Sequence, residues 1–230
     1  MNDEFLTEDQ EAERAKQWIR ENGLFIVAGV VLGLGGLFGW QQWEDYQTRQ
    51  SEAASNVWAQ MSDAIAGERY NEVDETLALL ESDYAGTPYL DQGRLAMAAL
   101  HMSRSDTDAA LAELEKVAAQ GSDPLLREVA DLRRAQIMIS QEQHQEALDL
   151  LGAAGDDGLA SLHLELQGDA QFGLGDFAAA QESYRQALNK DAGGVIDRSF
   201  LQIKMDQAAA SSGVVETAAV AEQEPVAADE

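Results

Sequence analysis

The chain of 230 residues contains no cysteine. That excludes disulfides, thiolate catalysis, cysteine-ligated zinc and an acylated lipoprotein-type cysteine. Proline is nearly absent too, at three residues. Ala, Leu, Gln and Glu abound after residue 44, so the bulk of the chain reads as helix. Basic residues are the third scarcity: 15 Lys and Arg stand against 42 Asp and Glu, a net charge of −27. This balance argues against nucleic acid, whose phosphates demand the opposite sign, and against lying on an anionic lipid surface. It favours a self-repelling exterior that steers toward basic or neutral partners.

The sharpest absence is local. Between Glu21 and Glu44 no residue is charged, over the 22 residues Asn22 to Trp43 that include "GLFIVAGVVLGLGGLFGWQQW". At about 1.5 Å per residue this helix is roughly 33 Å long, matching a bilayer core of about 30 Å. Trp18 precedes the run and Trp40 and Trp43 close it, where aromatic belts sit at membrane interfaces. A signal peptide would start earlier and end in a small-x-small cleavage site, not in Trp-Gln-Gln-Trp. A buried core helix would rarely tolerate six glycines, each costing about 1 kcal/mol in a water-exposed helix. The stretch therefore reads as a retained transmembrane helix over 22–43, behind an N-terminal segment 1–21. Arg14, Lys16 and Arg20 precede it, and Arg49 alone follows within twenty residues, which puts the N-terminus in the cytoplasm. Gly29, Gly33 and Gly36 share one helix face, suited to close approach of a second membrane helix; the plainer reading is that glycine is common in membrane helices.

Beyond residue 44, helical segments alternate with short turns. Thr87-Pro88 and Asp123-Pro124 read as N-cap plus first-turn proline, and Gly155 to Gly158 and Gly193-Gly194 as breaks between helices. The segment "ELQGDAQFGLGDFAAAQESYRQALNKD", 165–191, resembles a tetratricopeptide repeat. Gly168 holds the small position of its first helix, and Ala180, Tyr184 and Ala187 hold packing positions of its second. Weaker copies precede it. Ala180, Ala147, Ala110 and Thr76 recur at spacings of 33, 37 and 34, as do Gly168, Ala135, Ala98 and Ala64, and Tyr184, Leu151, Leu114 and Leu80. The 37 interval matches the longer connection "AQGSDP". One repeat cannot bury its apolar face alone, so several must stack. The expectation is an all-α protein: a single N-terminal transmembrane helix, then a tetratricopeptide-like helical solenoid over 44–209. A capping helix at "VIDRSFLQIKMDQ" (195–207) closes the solenoid, and a disordered acidic tail occupies 210–230.

The order of these parts, with "AKQWIRENG", a Gly-rich span ending "GWQQW", divergent repeats and a terminal "LQIKMDQ" helix, resembles the YfgM-type ancillary subunits of the SecYEG translocon. The resemblance covers roughly residues 8 to 207. It implies an inner-membrane protein of Gram-negative bacteria, single-pass, with its repeats in the periplasm. It further implies association with the SecYEG translocon and with a membrane-anchored periplasmic chaperone of the prolyl isomerase type, assisting newly translocated proteins. The acidic extension from about 210 is not part of that pattern.

Little in the chain suggests catalysis. His101, His144 and His163 stand apart with no metal-ligand spacing, no phosphate loop with a following Lys is present, and "GLGD" (173–176) reads as a turn inside a repeat. No enzyme activity, cofactor or metal is expected. The better candidate is a surface. Carried over through the repeat register, the positions that line the concave face of tetratricopeptide folds fall on Trp58, Met61, Ile65, Leu95, Met102, Val129, Leu132, Ile139, Leu162 and Phe172. An apolar, Met-containing groove suits loose binding of unfolded or helical client segments; a register off by one would instead make these residues core. The alternative function is a self-associating scaffold of cell-envelope assembly, with the glycine stripe driving homo-oligomers.

Overall fold

The computed structural model describes residues 8–152, 158–191 and 194–223. Among them run nine α-helices and no strand. They are α1 (Glu8–Ala66), α2 (Tyr70–Asp83), α3 (Pro88–Ser103), α4 (Thr107–Gln120), α5 (Pro124–Ser140), α6 (His144–Leu151), α7 (Ala160–Gly173), α8 (Phe177–Lys190) and α9 (Arg198–Gln223). Gly155, Gly193, the N-terminal residues 1–7 and the tail residues 224–230 lie outside the described residues. The chain divides into two compact units, 1–55 and 56–230.

In the first unit, α1 carries the uncharged stretch. Its segments Ala12–Phe25 and Val27–Ala66 meet at a bend of 43°. No single helix among the described residues is long and apolar enough to cross a membrane, and the two segments pass that test only together, by length and composition. The spanning helix expected over 22–43 falls within this bent pair, which is a weak candidate for a span.

The second unit consists of paired helices. Between the two helices of each pair one residue takes a positive φ: Glu68 (54°), Ser105 (62°), Glu142 (62°) and Gly175 (80°). The amide after it bonds back five residues in every case, Arg69 to Ala64, Asp106 to His101, Gln143 to Met138 and Asp176 to Gln171, at 2.9 to 3.0 Å. This left-handed stop ends each first helix. In two turns the next residue also starts the second helix: Asp106 accepts from the Ala109 amide and Asp176 from the Ala179 amide, at 3.3 and 3.1 Å.

These turns give the true register. They recur at 37, 37 and 33 residues, so in the first pair the equivalents of Ala98, Ala110 and Leu114 are Met61, Val73 and Leu77. The spacing in the sequence puts Ala64, Thr76 and Leu80 there, three residues late. All six are buried, because positions three apart on a helix face the same way, and that is why the shorter rhythm looked convincing.

Packing links each pair to the next. Leu95 and Ala98 of α3, Ala110, Leu114 and Val117 of α4, and Ala130 and Ile137 of α5 form one buried cluster. Leu132 and Ala135 of α5, Ala147 and Leu151 of α6, and Leu166 and Ala170 of α7 form the next. Leu164 of α7, Ala180, Tyr184 and Ala187 of α8, and Leu201 and Ala208 of α9 form the last. Every second helix is therefore shared between its own partner and the first helix that follows, the nearest-neighbour arrangement of a solenoid.

The long connection before α5 has its own anchor. Asp91, buried in the first turn of α3, accepts hydrogen bonds from the Ser122 amide (2.7 Å), the Ser122 hydroxyl (2.9 Å) and the Asp123 amide (3.3 Å). Asp123 caps α5 as expected, accepting from the Leu125 amide at 2.8 Å. Thr87 does not cap α3 with its side chain; its hydroxyl donates to the Tyr84 carbonyl instead (2.8 Å).

At the other end α9 seats Leu201 and Ala208 in the core as the cap. It does not stop where the tail was expected to begin, and its backbone stays helical to Gln223. From 207 to 223 the chain is rich in alanine and has no proline, so nothing in it breaks the helix.

Candidate functional site

The first helices α3, α5 and α7 frame two neighbouring cavities. The larger, about 440 Å³, is lined by Ala98, Ala99, Met102, Leu114, Arg133, Gln136, Ile137 and Ser140. The smaller, about 200 Å³, is lined by Val129, Leu132, Arg133, Gln136, Leu162 and Leu166. Residues 129, 132, 133, 136 and 140 lie along one stripe of α5, at the three- and four-residue steps of a helix face.

Of the ten residues expected on a concave surface, four line these cavities: Met102, Val129, Leu132 and Leu162. Met102 is 40% exposed. Met61 and Leu95 line neither cavity and are buried in the core, and Leu132 is core as well as cavity wall. Met61 occupies the inward position of the first pair once the register is corrected, and its sulfur lies 3.4 Å from where a Cβ on Gly93 would be. Trp58, Ile65, Ile139 and Phe172 are half-buried and line neither cavity. Ile139 packs on the α5–α7 cluster, and Phe172 meets Phe177 edge-on at 5.1 Å. Sequence reasoning missed the polar residues Arg133, Gln136 and Ser140. A search for apolar columns passes over polar side chains, although their stripe on α5 is readable.

The cap of the solenoid carries a polar cluster. The Lys204 ammonium on α9 donates to Glu165 and Asp169 of α7, both at 2.8 Å, and the Tyr184 hydroxyl of α8 donates to Asp169 at 2.9 Å. Burial alone would lower the Lys204 pKa, but its bonds to Asp169 and Glu165 together outweigh that and hold it above its ordinary value. Burial, with the Asp169 carboxylate second, pushes the Tyr184 phenol far up. The Tyr184 ring lies so close over Gly168 that a Cβ there would overlap it, so the small position of this helix admits only glycine.

The histidines do not converge. His101 Nδ1 is 3.8 Å from Asp106 Oδ2, His144 opens α6 with its ring over Gly173, and His163 is buried in α7. Among the described residues no three His, Cys, Asp or Glu side chains group in a way that could hold a metal ion.

In the first unit the large apolar residues are turned outward. Leu24, Phe25 and Leu32 are 78%, 75% and 76% exposed, and Trp18, Trp40 and Trp43 are exposed as well. A Cβ on Gly29, Gly33 or Gly36 would meet nothing within 4 Å.

Comparisons with known proteins fit both units. The chain is 27% identical over 205 residues to a protein of Haemophilus influenzae named "Ancillary SecYEG translocon subunit", covering 87% of this chain and 97% of that protein. Proteins of the same name from Aggregatibacter actinomycetemcomitans and Escherichia coli K12 are 29% and 24% identical, over 87% and 88% of this chain and 97% of theirs. No solved structure matches. The model of the family described as "Tetratricopeptide repeat-like domain" matches residues 16–210, taking in the apolar helix and every helix pair. With its repeating left-handed turns and nearest-neighbour packing, the chain belongs to the tetratricopeptide repeat-like domain family.

Proposed function

We propose that this protein is an ancillary subunit of the Sec translocon, held in the inner membrane by its N-terminal helix. Residues 1–21 form its cytoplasmic segment, 22–43 its membrane anchor and 44–209 its periplasmic repeat domain. The groove between α3, α5 and α7 holds segments of newly translocated proteins, and the repeats link the translocon to a membrane-anchored chaperone of the prolyl isomerase type. The observation that carries this reading is the extent of the similarity. Relatives bearing the translocon name align over 97% of their own length, so the likeness is not confined to the repeats, which serve many unrelated ends. Two further observations support it. The apolar side chains of α1 are exposed where the protein itself offers them no cover, as lipid-facing residues are. The groove lining mixes aliphatic side chains with methionine, a surface that adapts to varied segments.

The test is affinity purification of the tagged full chain from detergent-solubilised membranes, read by mass spectrometry. Recovery of translocon subunits together with a periplasmic isomerase-type chaperone is the expected result. A homodimer with neither would overturn the proposal and favour a self-associating scaffold. Topology is read separately by reporter fusions after residue 60; activity of a cytoplasm-only reporter there refutes the orientation.

A further inference from the structure

The two cavities share only Arg133 and Gln136, and what surrounds those two side chains is unusual for this chain. In a chain with 42 acidic residues, none of those among the described residues stands on either cavity wall. The neighbouring arginine shows the contrast: Arg134 is held by Asp131 (2.8 Å) and Glu115 (3.5 Å). Arg133 is solvent-exposed, and its Nη1 makes a long 3.4 Å bond to the Leu95 carbonyl, with no carboxylate within ion-pair distance among the described residues. A guanidinium carries five donors in a planar fork that matches a carboxylate. One long bond to a carbonyl leaves most of that fork to solvent, between two apolar hollows.

We propose that the groove recognises an extended polypeptide segment in which two apolar side chains flank one carboxylate, with Arg133 as its specificity-determining residue. The apolar pair fills the two cavities, and the carboxylate is received by the Arg133 fork with the Gln136 amide beside it. The inference rests on the groove reading above and names what that groove selects. The net charge of −27 bounds the ligand further. A run of acids is repelled by the surrounding field, so the segment carries a single carboxylate among neutral or basic residues.

The experiment uses the full chain in lipid nanodiscs and fluorescein-labelled synthetic peptides read by anisotropy. The peptides share a Leu-Ser-Glu-Ser-Leu core, with one or two further serines inserted to vary the spacing, and each is paired with versions carrying Gln or Lys in place of Glu. At the best spacing the Glu peptide binds at least tenfold more tightly than the Lys peptide, the scale of a hydrogen bond to a charged group. Arg133→Gln levels the series and Arg133→Glu reverses it, with circular dichroism unchanged because Arg133 is exposed. Equal binding of the Glu and Lys peptides to the unaltered chain overturns the inference without any variant, as does a preference that survives Arg133→Glu. Binding of none of the peptides removes both this inference and the client groove, while the purification experiment still decides translocon association on its own.

Discussion

The two units treat the same residue types in opposite ways. In the first, Leu24, Phe25, Leu32 and three tryptophans are exposed and no charge interrupts residues 22–43. In the second, Leu80, Leu114 and Tyr184 are sealed from solvent and even a carboxylate, Asp91, is almost completely buried. Hydrophobic residues inside is a rule about water. A helix that breaks it over six turns, in a chain whose repeats keep it, is what the proposed membrane anchor requires. In such a helix the backbone bonds are all internal, so lipid leaves no polar group unsatisfied. In the repeats small residues let helices close up, and charge is admitted only where several donors meet it.

The largest effect that breaks this contrast comes from charging the exposed helix. Leu32→Arg combined with Gly36→Arg adds two cations at the middle of the apolar run, each costing about 2.5 to 3.5 kcal/mol in a bilayer core. Resistance to alkaline carbonate extraction is then lost, while helicity of the repeats is retained. In water the same exposed positions tolerate arginine, so a variant extracted no more readily than the parent shows that the helix was never in lipid. The converse change lies in the repeats. Leu114 is 1% exposed at the junction of α3, α4 and α5, and Leu114→Ala lowers unfolding stability by about 2 to 5 kcal/mol, measured by urea denaturation. Membrane association stays as it was.

How far each unit could be read beforehand follows the same physics. The fourth repeat stands out because its geometry demands particular residue types. Gly168 is forced by the Tyr184 ring above it, Gly175 supplies the positive φ at no steric cost, and Asp176 caps α8. The equivalent left-handed residues in the earlier turns are Glu68, Ser105 and Glu142, which advertise nothing. The first repeat was consequently read three residues late, a slip that keeps every residue on its inward face. Met102, Val129, Leu132 and Leu162, read from the repeat register, line the two cavities framed by α3, α5 and α7. The polar centre between the cavities was not legible, since Arg133 and Gln136 differ from ordinary surface residues only in what stands beside them. Beyond 210 the backbone of α9 stays helical to Gln223, as alanine's helix preference favours.

A smaller effect tests how the second unit admits a charge. Asp91→Ala strips the acceptor from the Ser122 amide and hydroxyl and the Asp123 amide, at a cost of about 2 to 3 kcal/mol. Because these groups lie in the link between α4 and α5, proteolysis should open there first. Asp91→Asn keeps one acceptor oxygen and loses about half as much. Full stability of the alanine variant shows that water replaces the carboxylate, and that the site is less dry than it looks.

The smallest effect concerns pH and the cap helix. Lys204 and Tyr184 both have folded pKa values above their ordinary ones. A group raised in the folded state contributes stability that is complete below its unfolded pKa and is lost as pH climbs toward the folded one. With unfolded values of about 10 for tyrosine and 10.4 for lysine, both contributions are intact at neutral pH and fade above about pH 10. There the unfolded chain gives up protons that the α7–α9 junction still retains. Thermal melts between pH 9 and pH 11.5 should therefore decline more steeply for the parent than for the double variant Tyr184→Phe with Lys204→Met. The two curves converge over that interval. Parallel curves would mean that the α9 clamp holds no proton more tightly than free solution does. In that case Leu201 and Ala208 alone keep the cap in place, and charge plays no part in closing the solenoid.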